Sequence, residues 1–360
     1  MNINPDKILL IQLRRIGDVL MTTPAVKAVK KRFPTSKITF LTESPSDEIF
    51  RNNPYVDEIL LHNRKWGLKG YLKFIRELRQ RQFDLVIDFF GNPRSAQIAF
   101  FSGVRHRLGF NFRGRRWTYT STVALPENKN LYSPLHKLHL LKPLGEIPPF
   151  YPPPAEDIQI EFFCSPADYE YAEELTKKLG ITEDDFVIVL CPVSRRKYKN
   201  WPAEKFAWIA DKLIENYAVK ILFMCGPNEK AFIDNIKRQM KYTDKTLDDY
   251  EASTISHVRA FFEKVDLYVG NDNGLRHIAI AAHTPTVTVF GQSNPYNWTP
   301  PESKLHKFVD YDPGCKENCN LSRCTNYRCI NEVSEIEYLN KIEDLIEEFG
   351  VSNSHYERSA

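Results

Sequence analysis

The sequence predicts an α/β protein made of two doubly wound domains, each a parallel sheet covered by helices on both sides. Short runs of apolar and β-branched residues alternate with helical patterns along the chain, and this alternation is typical of parallel sheets. At 360 residues the chain exceeds one typical core and suggests two domains of about 150 to 180 residues each. Five prolines within residues 148–157 suit neither a helix nor a central strand, so this segment is predicted to connect the domains.

The elements of the first half follow from hydrophobic periodicity. Four runs predict strands: KILLIQL, KITFLT, DEILL and FDLVIDFF. One helix is predicted through Val26 and Val29, and a second begins at Leu68. The apolar residues of the second helix recur at spacings of three and four, at Leu68, Tyr71, Leu72, Ile75 and Leu78.

The second half repeats the scheme. Strands are predicted for FVIVLC, VKILFMC, DLYVG and TVTVF. Helices are predicted over 165–180, over the stretch with Phe206, Ile209, Leu213 and Ile214, after Pro227, near 258–262 and from Gly274. A last helix begins at Ser334, with Glu337 three residues on as a capping box.

The predicted organisation is two Rossmann-like domains facing a cleft, at residues 1–155 and 156–331. The helix at 332–350 is long enough to pack across the domain boundary. Doubly wound sheets bind ligands at the carboxyl ends of their strands, so functional residues are expected just after strands.

Composition indicates an ordinary globular protein. Apolar residues make up 42% and charged residues 26%, and the net charge of +3 gives no reason to predict a nucleic-acid partner. No apolar run approaches the roughly 20 residues of a membrane-spanning helix, and KILLIQL is too short for a signal peptide. A cytoplasmic protein is the expectation.

The segment RRIGDVLMTTPAV lies where a dinucleotide-binding protein has its glycine-rich phosphate turn, between a predicted strand and a predicted helix. It has one glycine, Gly17, followed by the carboxylate of Asp18. Because a carboxylate would repel a phosphate placed there, this turn is predicted to have another use.

Two other segments follow strands and suit a diphosphate. In VGNDNGLRHIAIAA, Asn273, Gly274 and Leu275 are expected at a helix N-terminus, whose amides and dipole attract anions. Asp272 could cap that helix or accept hydrogen bonds from sugar hydroxyls; a plain N-cap with His277 in the core is the simpler interpretation. In CPVSRRKYKNWPAEKF, a hydroxyl and several cations precede a helix, an arrangement that suits a diphosphate but also a solvated basic loop: Ser194, Arg195, Arg196, Lys197 and Lys199.

Five arginines form the one concentrated basic stretch, interleaved with Phe110, Phe112 and Trp117: Arg105, Arg107, Arg113, Arg115 and Arg116. A solvated surface is the usual explanation of such a stretch. Aromatic residues among the arginines favour an anionic, partly apolar partner, such as a phosphorylated saccharide, a nucleic acid or an anionic membrane surface.

Four cysteines lie close together near the C-terminus, at Cys315, Cys319, Cys324 and Cys329. They could hold a structural metal ion, although the paired spacing typical of zinc ribbons is missing. Unbonded thiols are the other possibility, since a reducing compartment disfavours disulfides.

Taken together, RRIGDVLMTTPAV, KNWPAEKF, VGNDNGLRHIAIAAHTPTVTVFGQSNPYNW and the cysteine cluster resemble glycosyltransferase family nine, the ADP-heptose:lipopolysaccharide heptosyltransferases. The resemblance covers both halves in order. It implies the GT-B fold and inverting transfer of heptose from ADP-heptose to the inner core of lipopolysaccharide, without a metal or other cofactor. It also implies an acceptor-binding first domain, a donor-binding second domain, and a protein at the cytoplasmic face of the inner membrane that contacts the membrane surface peripherally.

The resemblance assigns the catalytic base to Asp18. It assigns donor binding to Ser194, Lys199, Glu229, Asp272, Asn273, Gly274, Leu275 and His277. The arginine stretch would then meet the anionic glycan acceptor. This chain departs from the family pattern at Asn273, where Thr is usual, near Val193, where Gly is usual, and at Arg276, where a small residue or Pro is common.

Two other functions stay open. One is a related glycosyltransferase that uses a different nucleotide sugar. The other is a non-catalytic protein that binds a sugar nucleotide or an anionic glycan, against which the presence of both Asp18 and Lys199 argues. A nicotinamide-dependent oxidoreductase is disfavoured because the G-x-G-x-x-G pattern is missing.

Overall fold

The computed structural model describes residues 1, 3–145, 154–252 and 254–349. The chain divides into two compact units, Met1–Phe163 and Cys164–Ala360, so the division falls a few residues beyond the predicted 155/156 boundary. Within the described ranges, no helix combines the length and apolar character needed to cross a membrane.

The first unit has one parallel sheet of six strands in the order β3-β2-β1-β4-β5-β6. Its strands are β1 (Lys7–Ile11), β2 (Lys37–Thr42), β3 (Glu58–Leu61), β4 (Leu85–Asp88), β5 (His106–Phe110) and β6 (Ser121–Val123). Its helices are α1 (Ile16–Leu20), α2 (Thr23–Arg32), α3 (Leu68–Gln80), α4 (Pro93–Phe101), α5 (Ser133–Leu140) and α6 (Ala155–Ile158).

The second unit has the same strand order, β12-β11-β10-β7-β8-β9. Its strands are β7 (Phe186–Cys191), β8 (Val219–Cys225), β9 (Tyr250–Glu251), β10 (Leu267–Asn271), β11 (Thr286–Phe290) and β12 (His306–Asp310). Its helices are α7 (Pro166–Lys178), α8 (Ala203–Asn216), α9 (Lys230–Lys237), α10 (Ile255–Phe262), α11 (Gly274–Ala281), α12 (Arg328–Asn331) and α13 (Glu335–Phe349).

Both sheets have the strand order of a Rossmann fold, in which the order reverses between the first and fourth strands. The reversal lies between β1 and β4 in the first unit and between β7 and β10 in the second. Ligands of such sheets bind beyond the carboxyl ends of the strands at this reversal. The Asp18 turn follows β1, and the two predicted diphosphate loops follow β7 and β10.

Four strands were not predicted: β5, β6, β9 and β12. Three of them, β6, β9 and β12, lie at sheet edges, where strands are short and polar residues are tolerated. The fourth, β5, begins with His106 and Arg107 and lacks a continuous apolar run.

Part of the proline-rich segment forms a helix, contrary to prediction. α6 begins at Ala155, directly after Pro154, a place where proline is compatible with a helix start. Residues 148–153 of the predicted connection lie outside the described residues.

The last helix, α13, contributes to the core of the second unit through Tyr338, Leu339, Ile342, Leu345 and Ile346. The hydroxyl of Tyr338 donates to the carbonyl oxygens of Gly270 and Val287, each at 3.1 Å.

The start of α13 is capped as predicted. The amide of Glu337 donates to Ser334 Oγ at 3.3 Å, which confirms Ser334 as the cap. Packing across the domain boundary stays a prediction.

Candidate functional site

The site in the second unit is built from the loops that follow two neighbouring strands. β7 and β10 pair in parallel, with Gly270 opposite Cys191. A Cβ at Gly270 would overlap the carbonyl oxygen of Cys191, so glycine allows the two strand ends to approach closely. The predicted Ser194–Lys199 and Asp272–His277 segments therefore lie side by side.

Lys199 and Asp272 join the two loops. Lys199 Nζ lies 2.5 Å from Asp272 Oδ2, and the Asp272 side chain is only 5% exposed. Burial raises the pKa of Asp272, but the charges of Lys199 and Arg276 outweigh it, so the pKa lies below its ordinary value. The pair therefore holds an ionised carboxylate beside a cation that is still partly exposed to ligands.

Asparagines fix the shape of the loops. Asn271 Nδ2 donates to Pro192 O at 2.5 Å, and Asn271 Oδ1 accepts from the amide of Trp201 at 3.1 Å. Asn273 Nδ2 donates to Val193 O at 2.9 Å. Because these bonds link residues about 70 to 80 positions apart, they make the two loops one structure.

Helix α11 begins where predicted, and Asn273 rather than Asp272 is its N-cap. Asn273 Oδ1 accepts from the amide of Arg276 at 3.1 Å. The amides of Gly274 and Leu275 find no hydrogen-bond acceptor in the described part of the chain, and both residues are half-buried. The helix thus presents unused N–H groups and the positive end of its dipole beside Lys199 and Asp272, which suits a phosphate.

His277 is buried, with 4% of its surface exposed, and its ring lies 5.6 Å from that of Trp298. Burial, reinforced by the charge of Arg276, lowers the pKa of His277 to about 3, so the imidazole is neutral. Its Nδ1 has no hydrogen-bond partner among the described residues. A buried polar atom of this kind costs free energy unless something satisfies it, and a sugar hydroxyl or a phosphate oxygen could do so.

Arg276, one of the departures from the family pattern, is fully buried. Its guanidinium donates to Thr288 Oγ1 at 2.8 Å, Thr299 Oγ1 at 2.8 Å and Trp298 O at 3.0 Å. It also lies over the ring of Phe290, 5.1 Å from the centroid. Arg276 therefore holds the segment that carries Trp298 against α11, a role that nothing in the local sequence indicates.

Ser194 and Glu229 lie at the same edge of the sheet. The amide of Ser194 donates to Asn200 Oδ1 at 2.6 Å. Glu229 follows β8, which pairs with β7, and its Oε2 accepts from the amide of Gly226 at 3.0 Å. The structure thus brings all eight predicted donor-binding residues to the carboxyl ends of three adjacent strands.

Asp18 belongs to the first unit, at the third position of α1. Its Oδ2 accepts from the amide of Arg15 at 3.2 Å. Its Oδ1 accepts no hydrogen bond from any residue that the structure describes, and the side chain is half-buried. Gly17 and Val19 are buried on either side. The carboxylate therefore has one oxygen available for a ligand.

The five arginines do not form one patch. Arg113, Arg115 and Arg116 follow the carboxyl end of β5. Arg105 precedes that strand and lines a depression with Asn4 and Asp84. Arg107 is half-buried, and its guanidinium donates to Thr118 O at 2.8 Å and to Val104 O.

The four clustered cysteines are unbonded thiols. Burial raises the pKa of Cys319 and Cys329, and neighbouring cysteines add to the increase. Among the described residues, no group of three or more His, Cys, Asp or Glu side chains is placed to hold a metal ion.

Acidification should destabilise the protein through its buried histidines. The pKa of His277 and of His306 is lowered to about 3, and that of His136 to about 4, in each case chiefly by burial. Below pH 6.5 the unfolded chain binds protons that the folded chain does not, so stability is lost as the pH falls from 6.5 towards 3. Each histidine should contribute about 1.4 kcal/mol per pH unit in this range.

Urea unfolding between pH 7.5 and 5 would measure this loss. His306, which bonds Thr286 Oγ1 through Nδ1 at 3.2 Å, lies outside the predicted donor-binding set. The variant His306→Gln should show a smaller pH dependence than the wild type, by about one proton. Equal slopes in the two proteins would contradict the prediction.

Two solved structures resemble this chain over nearly its whole length. A solved family 9 glycosyltransferase from Veillonella parvula DSM 2008 superposes with a TM-score of 0.83 at 22% identity, covering 97% of this chain and 99% of that one. The E. coli ADP-heptose lps heptosyltransferase II gives 0.77 at 18% identity, covering 96% and 100%. The chain therefore has the GT-B fold of two Rossmann-like domains.

Sequence comparison extends the relationship. Lipopolysaccharide heptosyltransferase 3 of Escherichia coli (strain K12) is 26% identical over 312 residues, which are 82% of this chain and 86% of that protein. The family model for glycosyltransferase family 9 (heptosyltransferase) matches residues 71–326. This match spans more than half of the chain and includes the Lys199, Asp272 and His277 loops, so the chain is an enzyme that belongs to glycosyltransferase family 9, the heptosyltransferases.

Proposed function

We propose that this enzyme transfers heptose, with inversion, from ADP-heptose to the inner core of lipopolysaccharide, with Asp18 as the general base. The observation that carries the proposal is the Lys199–Asp272 pair beside the unused amides at the start of α11. The relatives named above as lipopolysaccharide and ADP-heptose heptosyltransferases support the choice of donor and acceptor.

The donor diphosphate is assigned to the second unit. Lys199 supplies a cation, and the amides of Gly274 and Leu275 supply hydrogen bonds at the positive end of a helix dipole. These groups suit the negative charge that grows on ADP as it leaves. No cofactor is part of the proposal.

The remaining predicted residues are assigned chiefly to the transferred sugar and the nucleoside. Asp272 is an ionised acceptor for sugar hydroxyls, and neutral His277 has Nδ1 available for a further hydrogen bond. Glu229, at the end of β8, is assigned to the nucleoside. Ser194 adds a hydroxyl beside the diphosphate.

Asp18 is assigned the chemical step in the first unit. Its carboxylate takes the proton of the acceptor hydroxyl while the hydroxyl oxygen bonds to the anomeric carbon. The bond between that carbon and the diphosphate oxygen breaks, and its electron pair leaves with ADP. One displacement of this kind inverts the configuration at the anomeric carbon.

The acceptor is assigned to the first unit as well. Arg113 and Arg116 are exposed after β5, and Arg115 lies over the ring of Phe112 at 5.0 Å. These cations suit the phosphates or carboxylates of a lipopolysaccharide core. We place the enzyme at the cytoplasmic face of the inner membrane, in peripheral contact with its surface.

A donor-binding experiment tests the proposal. Calorimetry should show ADP binding to the wild type, and Lys199→Met should weaken it about tenfold or more, because a charge-assisted contact to phosphate is lost. The matched control is Lys197→Met, since Lys197 is an exposed lysine of the same loop. Mass spectrometry should then show one heptose added to heptose-deficient lipopolysaccharide from ADP-heptose.

Three outcomes count against the proposal. Equal weakening by both lysine substitutions would refute the role of Lys199. Transfer of another sugar from another nucleotide would replace the donor. Absence of any ADP binding by the wild type would favour a non-catalytic glycan-binding protein.

A further inference from the structure

In the first unit, a lysine lies at the carboxyl ends of the strands, next to the Asp18 turn. It is not among the site residues predicted from the sequence. Lys137, on α5, donates from Nζ to Gln12 Oε1 at 3.0 Å and to Phe89 O at 2.8 Å. Gln12 directly follows β1, and Phe89 directly follows β4. The ammonium therefore bridges the two strand ends at which the order of this sheet reverses.

Gln12 connects this lysine to the Asp18 turn. Gln12 is fully buried, and its Nε2 donates to Arg14 O at 2.8 Å. An amide side chain has its acceptor on one side and its donors on the other. Because Lys137 bonds the amide oxygen of Gln12, the amide nitrogen of Gln12 is directed at the carbonyl oxygen of Arg14. Arg14 begins the turn that ends at Asp18.

Two carboxylates lie near Lys137, Asp18 and Asp88, and they differ in how many of their oxygens already accept hydrogen bonds. Burial lowers the pKa of Lys137, whereas Asp18 and Asp88 raise it. Asp88 is already satisfied: Oδ1 accepts from the amides of Phe90 and Gly91, and Oδ2 accepts from the hydroxyl of Tyr119 at 2.7 Å. Asp18 is the nearby carboxylate with an oxygen that no described residue bonds.

We propose that Lys137 is a positioning residue for Asp18, because it fixes the Gln12 amide that supports the Asp18 turn. This inference rests on the proposed role of Asp18 as the base. A base that is held in place keeps its carboxylate within reach of the acceptor hydroxyl, and displacing such a group lowers the rate of the chemical step.

The test compares kcat and kcat/KM for heptose transfer in the wild type, Lys137→Met and Lys137→Arg. Lys137→Met should lower kcat about 10- to 100-fold by misplacing the turn. Lys137→Arg can still donate hydrogen bonds to Gln12 and Phe89, so it should restore part of the lost kcat, although its different geometry keeps kcat below that of the wild type.

A further variant tests the amide link. Gln12→Met removes the link but leaves the ammonium, so kcat should fall as in Lys137→Met, and the double variant should lose no more than either single variant. ADP affinity, measured by calorimetry, should be the same in all these variants, because the donor site belongs to the second unit. Wild-type kcat in Lys137→Met, or additive losses in the double variant, would overturn the inference.

The control Asp18→Asn distinguishes this failure from failure of the proposed function. If Asp18→Asn still transfers heptose at the wild-type rate, the base is wrongly assigned and the proposed function fails at that step. If Asp18→Asn is inactive while Lys137→Met keeps the wild-type kcat, only the inference about Lys137 fails.

Discussion

Replacing Asp18 with asparagine is expected to lower heptose transfer by about 10²- to 10⁴-fold while leaving ADP affinity unchanged. That range is the usual contribution of a general base. Asparagine has nearly the same shape, and its oxygen can still accept the hydrogen bond that Asp18 Oδ2 accepts from the amide of Arg15 at 3.2 Å. The turn should therefore keep its geometry, but an amide does not take up the proton of the acceptor hydroxyl.

The matched control is Asp84→Asn in the same unit. Asp84 also accepts backbone hydrogen bonds, from the amides of Asp6 and Lys7 at 2.9 and 2.8 Å. It directly precedes β4, so it lies at the amino ends of the strands, whereas Asp18 lies at their carboxyl ends. Steady-state transfer and ADP calorimetry on both variants would separate a chemical effect from a structural one. Wild-type transfer by Asp18→Asn, or equal losses in both variants, would refute the assignment.

The regular core of each unit could be predicted because its signals are local. The run FVIVLC is β7, residue for residue, and the helix predicted over 165–180 is α7, capped by Ser165, whose Oγ accepts from the amide of Asp168 at 3.3 Å. Central parallel strands are buried on both faces and so have continuous apolar runs. Helix caps depend on residues three apart and are equally visible in sequence.

The donor-binding loops could be located for a related reason. A strand followed by polar residues and a helix is a local pattern, and the carboxyl ends of parallel strands meet at one edge of a sheet. What the sequence left open was whether Asp272 caps the helix or serves a ligand. Asn273 is the cap, and Asp272 pairs with Lys199, 73 positions away, a contact that no local pattern specifies.

The supporting residues could not be predicted. Lys137 meets Gln12 across 125 positions, and its helix offers no periodicity that distinguishes this lysine from a solvated one. The arginine stretch shows the opposite problem, because residues close in sequence are separated by a strand. Arg105 and Arg113 stand beyond opposite ends of β5, although the charge run suggested a single surface.

Arg276 should be the most sensitive of these supporting residues to substitution. It is fully buried, and the groups to which it donates include two threonine hydroxyls and a backbone carbonyl. Replacing a buried ion pair with apolar residues is sometimes harmless. Here the acceptors remain in the core after substitution, and each unsatisfied buried group costs about 1 to 3 kcal/mol.

We therefore expect Arg276→Met to lower the free energy of unfolding of the second unit by about 3 kcal/mol or more, as measured by urea denaturation. The triple variant Arg276→Met, Thr288→Val, Thr299→Val removes both stranded hydroxyls together with their donor. It should be more stable than Arg276→Met alone, because loss of both partners costs less than loss of one. Arg276→Met with wild-type stability, or a triple variant no better than the single one, would show that these hydrogen bonds do not hold the Trp298 segment in place.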